Sequence, residues 1–85
     1  MKAFTYTVTD EAGIHARPAG ELVREAKKYT SRITITKEDK SAIATKLMAV
    51  MALGVKCGQT VTVAIEGEDE DIAYMSMKDF FDRNF

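Results

Sequence analysis

The chain has 85 residues, 46% of them hydrophobic, which suits a single domain over residues 1–85 built on one small core. Its 12 basic and 13 acidic residues leave a formal net charge of −1, so no overall field draws in nucleic acid or an anionic membrane. Cys57 is the only cysteine, which excludes an internal disulfide and a cysteine-rich metal site.

The segment MKAFTYTVTD alternates polar and apolar residues and lacks the continuous apolar stretch of a signal peptide. No run of about 18 apolar residues occurs either. A cytoplasmic location without membrane insertion is therefore expected, and in that reducing setting Cys57 is expected to be a small buried or half-buried side chain.

In residues 3–8, Phe4, Tyr6 and Val8 share one face, the period-2 pattern of a strand. Pro18 stands where a first helical turn tolerates proline, and Ala19, Leu22, Val23, Ala26 and Tyr29 recur at helical spacing. A first helix is predicted over about residues 16–28. Ile33 and Ile35 alternate with Arg32, Thr34 and Thr36, KEDK makes a polar turn, and Ser41–Ala44 returns as the second arm of a hairpin. Thr45 or a close neighbour starts a short helix over about 46–53, with Leu47, Val50 and Met51 inward and Gly54 at its C-terminal end. Val61, Val63 and Ile65 alternate with Thr60, Thr62 and Ala64 as a fourth strand. Gly67 ends it, and Ala73, Tyr74, Met77 and Phe81 then mark a third helix that runs nearly to residue 85. The acidic run Glu68–Asp71 before that helix reads as carboxylates opposing the macrodipole, without the spacing of a calcium loop. The order βαββαβα predicts an α+β fold, a four-stranded, mainly antiparallel sheet with its helices on one face. Strand order is not set by this pattern.

The chemistry concentrates in Gly13-Ile14-His15-Ala16-Arg17-Pro18-Ala19, between the first strand and the first helix. His15, the only histidine, falls where the first backbone N–H groups of a helix lack intrahelical partners and the dipole favours an anion. Such a site suits a phosphate. Arg17 adds a permanent cation whose planar fork can take two phosphoryl oxygens. A zinc site would need three or four ligands, and His15 and Cys57 have no companions at a binding spacing. No P-loop, GxGxxG turn or GxSxG elbow is present, so no cofactor and no self-contained enzyme are expected.

GIHARPA, together with LMAVMALGVKCGQTVTV at 47–63, resembles HPr, the histidine-containing phosphocarrier family of the bacterial phosphoenolpyruvate-dependent sugar phosphotransferase system. The resemblance covers essentially the whole chain. It implies an open-faced β-sandwich with three helices on one side of the sheet. It also implies phosphorylation of His15 at Nδ1 by enzyme I and transfer to IIA proteins or domains of sugar permeases. Arg17 would be the guanidinium partner of the phosphate, with the backbone N–H groups of Ala16 and Arg17 as further donors. Transcriptional or metabolic regulators are further candidate partners, and a monomer is the default for a shuttle. A regulatory module of the nitrogen-related branch, controlling targets through the phosphorylation state of His15, is the alternative within the same family.

The chain departs from the family pattern at three positions. The regulatory serine of Gram-positive relatives aligns with Lys46, which cannot accept a phosphate, so regulation through that serine is expected to be absent. Ala12 replaces a side chain able to cap the start of the helix, leaving more to backbone donors, and Ala49 replaces a glycine common in the family. Helical phase makes Met48 and the edges of Leu47 and Met51 candidates for an exposed apolar docking patch, flanked by Gly20, Arg24 and Lys27 on the first helix.

Overall fold

Four segments that alternate apolar side chains with threonine or charged ones form strands in the computed structural model, which describes residues 1–85. They are β1 (Lys2–Thr7), β2 (Arg32–Lys37), β3 (Lys40–Ile43) and β4 (Thr60–Glu66). All neighbours are antiparallel in the order β1-β4-β2-β3. The sequence pattern had left that order open. Register aligns the apolar positions: Phe4 lies opposite Val63, Tyr6 opposite Val61, Ile33 opposite Ile65 and Ile35 opposite Val63. Because side chains alternate across a strand, this places the large apolar residues of β1, β2 and β4 on one face, whereas Ile43 of β3, opposite Thr34, lies on the other. Val61, Val63 and Ile65 of the central β4 are wholly buried there. The opposite face carries Thr5, Thr7, Thr60 and Thr62, with the hydroxyls of Thr7 and Thr60 2.8 Å apart.

The helices α1 (Ala16–Ala26), α2 (Leu47–Ala52) and α3 (Glu70–Asn84) cover the apolar face. Pro18 is the third residue of α1, where its missing N–H costs no helical bond, and Leu22, Val23 and Ala26 follow it into the core. The helix stops two residues short of the predicted end, because Lys27 and Lys28 continue only as a turn. Along α3, Ala73, Met77, Phe80 and Phe81 are buried. Phe81 meets Phe4, Tyr6 and Phe85 at centroid distances of 5.8, 5.6 and 5.2 Å. Burial of one such ring contributes about 1.5–3 kcal/mol, with about 0.5–1.5 kcal/mol more for a well-placed aromatic pair. No helix is long and apolar enough to cross a membrane.

Two sequence expectations are corrected. Cys57 is exposed rather than buried: it sits in the turn after Val55, and Val55 takes the core position. The Cys57 thiol instead approaches the Thr9 carbonyl oxygen at 3.6 Å. Leu47, expected inward, is also exposed, because the six-residue α2 buries only Val50. Leu53 and Val55, just beyond the helix, supply the rest of that part of the core.

Candidate functional site

His15 is positioned by the residues before it. Gly13 has φ of +67°, and a Cβ there would come within 2.3 Å of the Val55 carbonyl oxygen, so only glycine lets the chain lie this close. The next N–H, of Ile14, bonds that same oxygen at 3.1 Å, and the Ile14 side chain enters the core. The chain then turns outward, and His15 becomes the N-cap of α1 in an extended conformation (φ −108°, ψ 176°).

The first helical bond runs from the Ala19 N–H to the His15 carbonyl at 3.0 Å. Pro18 has no N–H to offer. Ala16 and Arg17 are therefore the two donors at this helix end, and neither has an acceptor within the protein. No acidic residue lies in the first turn, so nothing in the helix competes with an external anion for the positive end of the dipole. Arg17 is exposed and its guanidinium forms no ion pair within the protein.

The sequence reading overlooked Asp10. Its Oδ1 accepts the Ala12 N–H at 2.8 Å and its carbonyl accepts the Gly13 N–H at 2.9 Å. Its own N–H, with that of Thr9, donates to the carbonyl oxygen of Phe85. The second carboxylate oxygen lies 3.5 Å from His15 Nε2. The cue was present in Asp10-Glu11-Ala12-Gly13, since an aspartate ahead of a tight turn bonds the backbone two residues on and so fixes where its carboxylate points. The start of α1 still has no side-chain cap, as expected with Ala12 in place of a capping residue, because Asp10 bonds the Ala12 N–H in the loop and no N–H of the helix.

The candidate docking residues divide by exposure. Met48 is 79% exposed, Leu47 is exposed and Met51 is half-buried. Helix α1 packs beside α2, with Gly20 half-buried and open space around it, and with Arg24 and Lys27 exposed. Arg24 also borders a groove of about 550 Å³ between α1 and α3, together with Glu21, Glu25, Lys28, Phe80 and Arg83. The Glu25 carboxyl is held below its ordinary value by the hydroxyl of Ser76 and the ammonium of Lys28. Lys46 is the N-cap residue of α2, exposed and without a side-chain cap bond. Ala49 lies within that helix, where it favours helical backbone over glycine by about 0.5–1 kcal/mol.

The fold and the site at the start of α1 are those of a small phosphocarrier protein. Residues 2–83 match the family described as the PTS HPr component phosphorylation site. The chain is 40% identical over 78 residues to the phosphocarrier protein HPr of Mycoplasma capricolum, covering 92% of this chain and 88% of that one. It is 43% identical over 77 residues to the HPr of Lysinibacillus sphaericus, covering 91% and 88%. Its fold superposes on the solved structure of a Mycoplasma histidine-containing phosphocarrier protein with a TM-score of 0.91 at 38% identity, over 93% of this chain and 90% of the other. The chain belongs to the HPr family, the phosphocarrier proteins of the phosphotransferase system.

Proposed function

We propose that this protein accepts a phosphoryl group on His15 Nδ1 from phosphorylated enzyme I and delivers it to IIA proteins or domains of sugar permeases. The observation that carries this reading is the position of His15 as N-cap of α1, followed by two backbone N–H groups without acceptors. A phosphoryl group on the ring brings negative charge to the positive end of the helix. Arg17, one helical step further, supplies a guanidinium for the phosphoryl oxygens. Phosphoryl transfer asks mainly for positioning and charge stabilisation, so this short list of groups suffices.

Met48, Leu47 and Met51, with Gly20, Arg24 and Lys27 at the rim, form the proposed docking surface for both partners. Methionine adapts to differently shaped surfaces, and the cationic rim speeds encounter without prolonging it. The protein works as a monomer, with small, weak interfaces that let it leave with its cargo. Lys46 in place of the regulatory serine leaves His15 as the main phosphorylation site. Efficient modification of Thr45 or Ser41 by an active HPr kinase with ATP would overturn that part.

The direct test is incubation with enzyme I, Mg²⁺ and phosphoenolpyruvate. Wild type acquires an acid-labile phosphoryl group, His15→Ala acquires none, and Arg17→Ala folds normally but transfers slowly. Absence of labelling in the wild type overturns the proposal.

A further inference from the structure

We infer that Asp10 is a positioning residue for phosphoryl transfer at His15, holding the ring in its Nε2–H tautomer and balancing the charge the ring acquires on phosphorylation. This role rests on the reading of His15 as the phosphoryl acceptor. Three features of the loop carry it. The Oδ2 of Asp10 faces His15 Nε2 at 3.5 Å, so the carboxylate addresses one particular ring nitrogen. That distance is longer than a formed hydrogen bond, and such contacts in resting sites tighten as charge develops. The carboxylate is also fixed from its other end, by the Ala12 N–H on Oδ1 and by the bond from the Asp10 N–H to Phe85. Finally, no lysine or arginine pairs with Asp10, which leaves His15 as its one ionic partner in the fold.

An acceptor at Nε2 retains the proton there and leaves the electron pair on Nδ1. When that pair attacks, the N–P bond to His15 forms as the bond from phosphorus to the donor breaks, and the pair of the broken bond departs with the donor. The ring keeps its Nε2 proton and so becomes an imidazolium carrying a phosphoryl group. Its positive charge develops directly opposite Oδ2 of Asp10. On delivery the N–P pair returns to Nδ1, the ring is neutral again, and no proton has left the site. The fixed carboxylate therefore stabilises the phosphorylated ring and, in part, the transition state that leads to it, which lowers the barrier to phosphorylation and holds the phosphoryl group until a partner takes it.

A structural role alone would be confined to the turn, where Oδ1 caps Ala12. Asp10→Asn separates the two roles, because its amide oxygen can still accept the Ala12 N–H but carries no charge. Phosphoramidate serves as donor, so that docking to a protein partner does not enter the rate, and ¹⁵N NMR of the single histidine reads the tautomer in the unphosphorylated protein. Asp10→Asn and Asp10→Ala are each expected to slow phosphorylation by about tenfold, the lower end of the loss seen when the carboxylate behind a metal-ligating histidine is removed. The Nε2–H tautomer should also fall from near-complete population in Asp10→Ala. Wild-type rates in Asp10→Asn, or an unchanged tautomer in Asp10→Ala, would overturn the role while leaving the carrier reading intact. Failure of the wild type to take up phosphate would overturn both, and the tautomer shift would then report only the resting contact.

Discussion

Glu38 has φ of 55°, the one positive value outside glycine, in the two-residue turn between Lys37 and Lys40. An L side chain in this left-handed region costs about 1–2 kcal/mol, and glycine costs about 0.5–1 kcal/mol in chain entropy. Glu38→Gly should therefore stabilise the fold by about 0.5 kcal/mol, raising the thermal midpoint by a few degrees, about 2–4 °C for a chain of this size. A midpoint that stays or drops would show that the turn holds no strain. Gly13 gives the opposite case: Gly13→Ala combines φ of +67° with a contact 2.3 Å from the Val55 carbonyl oxygen. Expected are a loss of about 2 kcal/mol or more in urea unfolding and a slower labelling of His15 than the same loss of stability elsewhere produces. Equal rates in Gly13→Ala and in a destabilised core variant would remove Gly13 from the positioning of His15.

Within α2, neighbouring side chains do separate jobs. Val50 is 1% exposed and Met48 79%. Val50→Ala should cost about 1–3 kcal/mol in denaturant unfolding, since it removes buried methyl groups and leaves a cavity. Met48→Ala should change stability by less than about 0.5 kcal/mol. Its effect should appear in transfer from enzyme I, as a KM raised by about threefold or more with the phosphoramidate rate unchanged; an unaltered KM would take Met48 out of the docking surface. The same helix shows how far sequence reasoning reaches. Long elements with a full apolar stripe, such as α1 and β4, were legible because periodicity is repeated over several turns or residue pairs. Six residues of α2 give fewer than two turns, so phase alone could not tell that Leu47 would face solvent while Leu53 and Val55 filled the core. At the candidate site, the placement of His15, Ala16 and Arg17 at the start of a helix was legible, because a helix terminus exposes the same groups in any fold. Asp10 was legible only as a turn-forming aspartate, because the approach of its second oxygen to Nε2 depends on how the loop is tied to Phe85, 75 positions along the chain.

Across the whole molecule, the ends of the elements are tied by carboxylates rather than by the core. Asp69, the N-cap residue of α3, accepts the N–H groups of Thr30 and Ser31, both at 2.9 Å, and a short bond from the Ser31 hydroxyl. It thereby fastens the start of α3 to the segment between α1 and β2 instead of capping its own helix. The Ser31 hydroxyl and the Thr30 N–H hold its carboxyl below the ordinary value of 3.8. Glu70 is held below 4.5 by the Gly67 N–H, and Glu25 below 4.5 by Ser76 and Lys28. A carboxyl whose pKa is lower in the folded than in the unfolded chain binds fewer protons when folded, so stability rises with pH across the interval between the two values. These contributions are complete above the ordinary values of 3.8 and 4.5 and are lost as pH falls through the depressed ones. Thermal midpoints should accordingly be flat from about pH 7 to 5.5 and fall steeply below about pH 4.5. Asp69→Asn should lower the midpoint at pH 7 yet flatten the decline in acid, because one of the carboxyls that must be protonated is gone. Parallel curves for the wild type and Asp69→Asn between pH 5.5 and 3 would refute the assignment of the acid sensitivity to this tie.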